Sequence, residues 1–278
     1  MAARRLSRYS GAQWLGSAGL LIVAACFLLP FVWMLSTSFR TQGDLESAPT
    51  QVLPQHFTWV NYIHIWHYIP LGRDLANTVI FAGLVTVASV FLDALAGYAF
   101  ARYDFRGKNV WFMLVLLTLM VPISITFIPV YEFLSQLGWL NTFQGLIVPR
   151  IADAFGIFFF RQFFTALPKE LEEAARIDGA GEFRIFLTIM APLAGPAVVT
   201  VGLFNFIANW NDLLWPLMVT SDADMQTLPA SLALFKGQHN SDYGLLMAGS
   251  VIALVPVIVL FLVAQRRFVS AIATSGIK

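Results

Sequence analysis

Cysteine is nearly missing from these 278 residues: Cys26 stands alone, inside an apolar run. One thiol makes no internal disulfide and no cysteine-built metal cluster, so packing is its role and the redox compartment is not legible from it. Charge is also scarce. Asp, Glu, Lys and Arg make up 12% of the chain, against about 25% in soluble domains. A net charge of +1 leaves no basic field that would imply nucleic acid. No G-x-x-x-x-G-K-[ST] phosphate loop occurs, so the chain is not expected to hydrolyse ATP, and no cofactor of its own is expected. H-E-x-x-H and G-x-S-x-G are absent too, which excludes those metallohydrolase and serine-hydrolase templates. His64 and His67 share a helical face, but with no third ligand in view they are read as interfacial packing. There is no low-complexity tract and no internal repeat, so any symmetry must come from a second chain.

What is present is apolar sequence, at 58% of the residues. Soluble domains run near 45–50%, so this is a membrane protein. The first apolar run, 14–35, follows Arg4, Arg5 and Arg8. It is too long for a signal peptide and lacks a small-residue cleavage site, so it is read as a retained span. Six spans follow from hydropathy, at roughly 14–36, 77–100, 110–131, 142–164, 189–211 and 244–265. These continuous runs are too long for barrel strands, and the fold class is all-α, a polytopic membrane protein forming one domain over 1–278. The first, second, third and sixth spans are clear. The fourth carries Pro149, Arg150 and Asp153, and the fifth carries Pro192, Pro196, Asn205 and Asn209. Such spans suit a protein interior or an aqueous path better than lipid.

Basic residues set the orientation. Arg4, Arg5, Arg8, Arg102, Arg106, Lys108, Arg161, Lys169, Arg176, Arg184, Arg266, Arg267 and Lys278 fall on one side, and only Arg40, Arg73 and Lys236 on the other. The positive-inside rule makes both termini and the 167–192 segment cytoplasmic. The segments 39–76, 132–141 and 212–243 are then external loops. Trp59, Trp66, Tyr68, Trp139, Trp210 and Trp215 lie in or beside them, as an interfacial belt requires.

The polar stretch 167–192 is the exception in this chain. Pro168 suits a helix's first turn, and Lys169 to Asp178 are mostly helix formers. Gly179 and Gly181 break that helix, and a second one is expected from Glu182 to Met190. Leu167, Leu171, Ala174, Ala175 and Asp178 share one side, flanked by Glu170, Glu173 and Arg176. The paired alanines keep that side thin enough for another backbone to approach, with Glu173 placed for a partner's arginine. Helices lying on anionic lipid are usually basic, and this one is acidic.

Glu173-Ala174-Ala175, Gly179 and, nine residues on, Ile189-Met190-Ala191-Pro192 resemble the EAA motif of ABC importer membrane subunits, with Ala191 where leucine is usual. Gly97-Tyr98-Ala99-Phe100-Ala101-Arg102 with Phe105-Arg106-Gly107-Lys108, then Asn61-Tyr62, Asn77-Thr78, Trp210-Asn211 and Pro216-Leu217, are similar to carbohydrate-importer permeases of the maltose-permease type. So is Gln265-Arg266-Arg267-Phe268-Val269 with Gly276-Ile277-Lys278, although a glycine usual near Ala271 is missing. Pro70-Leu71-Gly72-Arg73 is compatible with a subgroup that imports glycerol-phosphate-type solutes.

The resemblance implies a type I importer permease fold in the inner membrane. In that family 167–192 is a coupling helix docking on a separate ATPase through Glu173, Ala174, Ala175, Asp178 and Gly179. It implies a homologous second permease and two P-loop ATPase subunits that use ATP and magnesium. A solute-binding protein outside, reached by the 221–242 loop, would deliver a sugar or polyol.

Asp93, Arg150, Asp153, Asn205 and Asn209 are the candidates for the translocation path. An ionised Asp93 within a span costs roughly 2.5–3.5 kcal/mol, accommodated by a polar path, a partner's cation or protonation. Arg150 and Asp153, three apart, are read as a structural pair. Asn205 and Asn209, four apart, bond either a sugar hydroxyl or a neighbouring helix. The alternative function is an ion-gradient-driven secondary transporter, against which the missing repeats and the acidic loop weigh. An intramembrane enzyme using Asp93 and Asp153 requires both at one depth, and their places in the spans differ.

Overall fold

The computed structural model describes residues 11–275 except Thr50, Val52, Gln55, Leu234 and 236–241, with no side chains described for 11–15, 264 and 266–275. Arg4, Arg5, Arg8, Lys236, the polar run 237–241 and the terminal Gly276-Ile277-Lys278 lie outside the described residues. Every regular element among those described is helical: α1 Gly11–Ser38, α2 Gln42–Ser47, α3 Val60–Tyr68, α4 Leu71–Arg102, α5 Lys108–Thr118, α6 Ile123–Gln136, α7 Phe143–Ile147 and α8 Ala154–Thr165. Next come α9 Glu170–Ile177, α10 Glu182–Ile185, α11 Ala191–Leu193, α12 Gly195–Trp210, α13 Leu214–Val219, α14 Leu228–Ala233 and α15 Tyr243–Ser275.

Three apolar stretches are continuous, Gly16–Ser38, Leu71–Arg102 and Tyr243–Val263. Three more are bent pairs: α5 with α6 by 96°, the Phe143–Arg150 stretch with α8 by 41°, and Glu182–Leu193 with α12 by 78°. Counting each pair as one span gives six. The third span, clear in the hydropathy, is the most sharply bent of the three. Pro122 stands at its break as the N-cap of α6, and a proline cannot supply the amide that a continuing helix needs there. Pro149 interrupts the fourth span. Before Pro192 the backbone widens into a π turn, with Ala191 N–H donating to Phe186 O, which relieves the clash a proline ring makes one turn back.

The chain falls into two compact units, Met1–Tyr68 with Leu234–Ile252, and Ile69–Ala233 with Ala253–Lys278. In the first, α1 presents exposed Leu20, Leu21, Ile22 and Phe27, as a lipid-facing helix does, and Cys26 is exposed on the same helix instead of packed inside. Arg40 is not the exposed external cation expected from the sequence. It is 1% exposed and donates to the carbonyls of Asp44 (2.7 Å), Ala48 (2.6 Å) and Gln51 (2.9 Å), closing the turn around α2. Asn61 Nδ2 donates to Ser38 O and Arg40 O, tying α3 to the end of α1. His64 and His67 are exposed on α3.

In the second unit α4 is the central mast. It buries Phe81, Val85, Ser89, Asp93 and Tyr98, with α8 and α12 packed along it. The α4–α8 approach runs through glycine: a Cβ on Gly97 would lie 2.6 Å from Phe160 Cβ and 2.8 Å from Arg161 N. Small residues at such crossings let backbones close up. Two of the expected belt tryptophans are core residues instead. Trp210 donates to Ala253 O and Trp215 to Leu146 O, each indole N–H finding its acceptor inside. The 221–242 segment is not a solvated loop throughout. Asn77 Nδ2 donates to Asp224 O and Gln226 O, Leu228 N donates to Thr78 Oγ1, and α14 buries Leu228, Ala230 and Ser231.

Candidate functional site

Two features of the second unit carry the expected site residues. The first is α9, two turns long. It ends because Gly179 takes a positive φ of 80°, open to glycine at little cost. Ala180 N donates to Ala175 O and Gly179 N to Arg176 O, the paired bonds of a Schellman cap. Ala175 and Glu172 face inward at 8% and 3% exposure, while Glu170, Glu173, Ala174, Ile177 and Asp178 face out. The alanines therefore do not share a face. Ala175 packs into the chain's own core beside Tyr98 and Ile185, and the outward stripe is Glu170, Glu173, Ala174 and Ile177, spaced for one helix side. Ile177 is 86% exposed.

Glu172 fixes the helix from behind. Its carboxylate lies 2.9 Å from Arg102 Nε at the end of α4, both side chains under 5% exposed, and 3.5 Å from Arg176 Nη2. Arg102 Nη2 also donates to Leu167 O at 2.7 Å. Arg176 grips Glu182 with two bonds, 2.7 and 3.0 Å, and Tyr103 OH donates to the same carboxylate at 2.8 Å. Burial pushes the Glu172 carboxyl above its ordinary range, against the pull of both arginines. The Arg176 guanidinium is held above its usual value by Glu182, so it stays charged. Glu172 was missed in the sequence. Its signal was there, three residues before Ala175 on one helix side, but its partner lies 70 positions earlier in the chain.

The second feature is a cavity of about 570 Å³ lined by Ile123, Pro149, Arg150, Ala152, Asp153, Phe155, Val201, Phe204, Asn205, Ala208 and Asn209. Four of the five expected path residues meet there. Asp93 does not reach it. It is fully buried, accepting from Asp153 N at 2.9 Å and from Ser89 Oγ at 2.7 Å, so it anchors the break in the fourth span. Arg150 and Asp153 are not a pair. The helix is interrupted between them, Asp153 caps α8 toward Phe155 N, and Arg150 Nη2 meets Asp212 Oδ2 at 3.1 Å.

A polar chain runs on from there. Arg150 Nε donates to Asn209 Oδ1 (3.0 Å), Asn209 Nδ2 to Asn205 Oδ1 (2.9 Å), Asn205 Nδ2 to Ser89 Oγ (3.1 Å), and Thr86 Oγ1 to Asn205 Oδ1 (3.2 Å). Asn205 thus spends its N–H group on α4, while Asn209 donates to Asn205 on its own helix and accepts from Arg150. Among the described residues no cation pairs with Asp153, the cavity's acidic group, and its N-cap bond at 3.4 Å is long. Broken backbone at membrane depth is tolerated where it lines such a cavity.

Residues 93–273 match the family described as binding-protein-dependent transport system inner membrane component. The chain belongs to that family. This binding-protein-dependent permease is 36% identical over 269 residues to the arabinooligosaccharides transport system permease protein AraQ of Halalkalibacterium halodurans, covering 96% of each chain. It is 34% identical to the sn-glycerol-3-phosphate transport system permease protein UgpE of Yersinia pestis, covering 92% of this chain and 94% of that one. Its fold matches a chain of a bacterial ABC transporter that imports the acidic polysaccharide alginate, with a TM-score of 0.79 at 26% identity, over 96% of this chain and 100% of that one. The protein is a multi-pass membrane permease subunit of an ATP-binding-cassette importer. The gradient-driven alternative is set aside by that membership.

Proposed function

We propose that this permease carries a carbohydrate or polyol solute, and that α9 docks on a separate P-loop ATPase. The solute class is supported by the relatives' names, which include an arabinooligosaccharide system. The observation that carries the coupling role is the mounting of α9. An acidic stripe with one bare isoleucine projects outward, while Arg102 and Glu172 lock the back of the helix to α4. Two ATPase copies using ATP and magnesium closing on this element and its counterpart in a second permease would rock the spans between outward- and inward-facing states. The sequence carries no G-x-x-x-x-G-K-[ST] phosphate loop, which supports leaving ATP hydrolysis to the partner. Asp178 and Gly179 serve by ending the helix at the docking face, and both termini lie on the ATPase side, as the basic residues direct. The 570 Å³ cavity lies on the solute's way, with Arg150, Asp153, Asn205 and Asn209 at its wall and Asp93 bracing it. An external binding protein delivers the solute.

The test is affinity purification of the tagged chain from native membranes in mild detergent. Recovery of a P-loop ATPase and a second permease supports the assembly, and recovery of the intact chain alone contradicts it. In the recovered complex, Glu173→Ala is expected to lower both uptake and solute-stimulated ATP hydrolysis with membrane insertion unchanged. Wild-type stimulation in that variant would remove the docking role.

A further inference from the structure

Beside the turn joining α4 to α5 lies a second cavity, of about 410 Å³, walled by Asp104, Phe105, Lys108, Asn109, Val110 and Arg161. We propose that it holds the phosphate-bearing headgroup of an anionic phospholipid. The charge is the first reason. Lys108 is only 18% exposed at its side chain, and its one ionic partner among the described residues is Asp104 at 3.4 Å, a carboxylate fully in solvent. An exposed pair of that kind is weak and easily exchanged. Arg161, also in the wall, stacks its guanidinium over the Phe112 ring, 3.9 Å from the centroid, and donates from Nε to Phe100 O at 3.4 Å, which brings a second cation to the cavity. Arg106 on the same turn is exposed, so cations outnumber the single carboxylate.

The second reason is what adjoins the charge. α5 opens the third apolar span, and Val110 and Trp111 are 57% and 59% exposed within its first turn. Polar cradle and apolar wall meet at interface depth, the shape of a lipid rather than of a soluble phosphate. Basic pockets between the ends of spans are suited to anionic headgroups on these grounds.

The experiment is native mass spectrometry of the transporter purified with its copurifying subunits, after exchange into equal phosphatidylglycerol and phosphatidylcholine. Wild type and the charge-keeping Lys108→Arg are expected to retain phosphatidylglycerol in preference. Lys108→Gln is expected to lose roughly fivefold of that retention, the factor one surface cation contributes on an anionic bilayer, with phosphatidylcholine unchanged. Arg161 is left in place because its ring contact packs α8 against α5. Equal retention of the two lipids by wild type, or undiminished phosphatidylglycerol on Lys108→Gln, overturns the proposal. Displacement of phosphatidylglycerol by inorganic phosphate, with no lipid preference left, reassigns the cavity to a free anion and overturns it too.

Discussion

Gly156 measures how little room separates the second span from the fourth. A Cβ there would stand 2.2 Å from Asp93 Oδ2, against a carboxylate already committed to Asp153 N and Ser89 Oγ. Gly156→Ala is expected to destabilise the protein by about 1–3 kcal/mol, read as a lower melting temperature in detergent. Gly202→Ala, whose Cβ would meet only Val90 Cγ2 at 3.6 Å and Thr86 Cγ2 at 3.9 Å, serves as the near-neutral comparison. Equal melting of the two would contradict the close-packed reading. Asp93 was legible in the sequence as a costly carboxylate inside a span, but its role was not. A bond to a backbone amide 60 residues on leaves no trace in residue identities. Glu172 and Glu173 make the same point, since neighbouring identical side chains face opposite ways. Glu172 is the buried one because it shares the inward side with Ala175 and meets Arg102 there.

At the scale of the element, α9 depends on its mounting. Removing one partner of a buried ion pair typically costs about 3–5 kcal/mol, because the other charge is left uncompensated. Arg102→Gln is therefore expected to loosen α9, seen as faster hydrogen exchange across Glu170–Ile177 with the spans still protected. The double change Arg102→Gln with Glu172→Gln should recover much of that protection. If the single variant exchanges like wild type, the pair does not hold the helix. Ile177→Asp acts on the other face. It is expected to leave exchange unchanged and to lower ATPase stimulation in the purified complex, since a lone exposed isoleucine on a polar helix has no folding role to lose. The sequence delimited this helix within a residue or two because Gly179 and the acidic run are local signals. The 96° bend at Pro122 was not legible in the same way. Hydropathy averages across a single proline, and whether a span kinks or breaks depends on what packs beside it.

For the whole molecule, six apolar stretches and an all-helical fold were readable because length and composition alone decide them. The burial of 227–232 was not, because the backbone around it is matched by Asn77 and Thr78, far away in α4. The proposed path runs by the cavity among the large unit's broken spans. Asn209→Leu removes the link between Arg150 and Asn205 while leaving the Asp212 pair. Uptake in reconstituted vesicles is expected to fall several-fold, with recovery of the ATPase in a pull-down unchanged. Loss of both together would show a folding defect and not a path defect.

The brevity of α9 has a practical side. Eight residues are too few for a helix to hold itself in water, where about 12–15 are needed even for favourable sequences. A synthetic peptide copying 167–192 is thus expected to be a poor competitor for the proposed docking on the ATPase, giving a coil spectrum by circular dichroism. A version with a covalent brace across one turn, standing in for the grip of Arg102, would be the useful reagent.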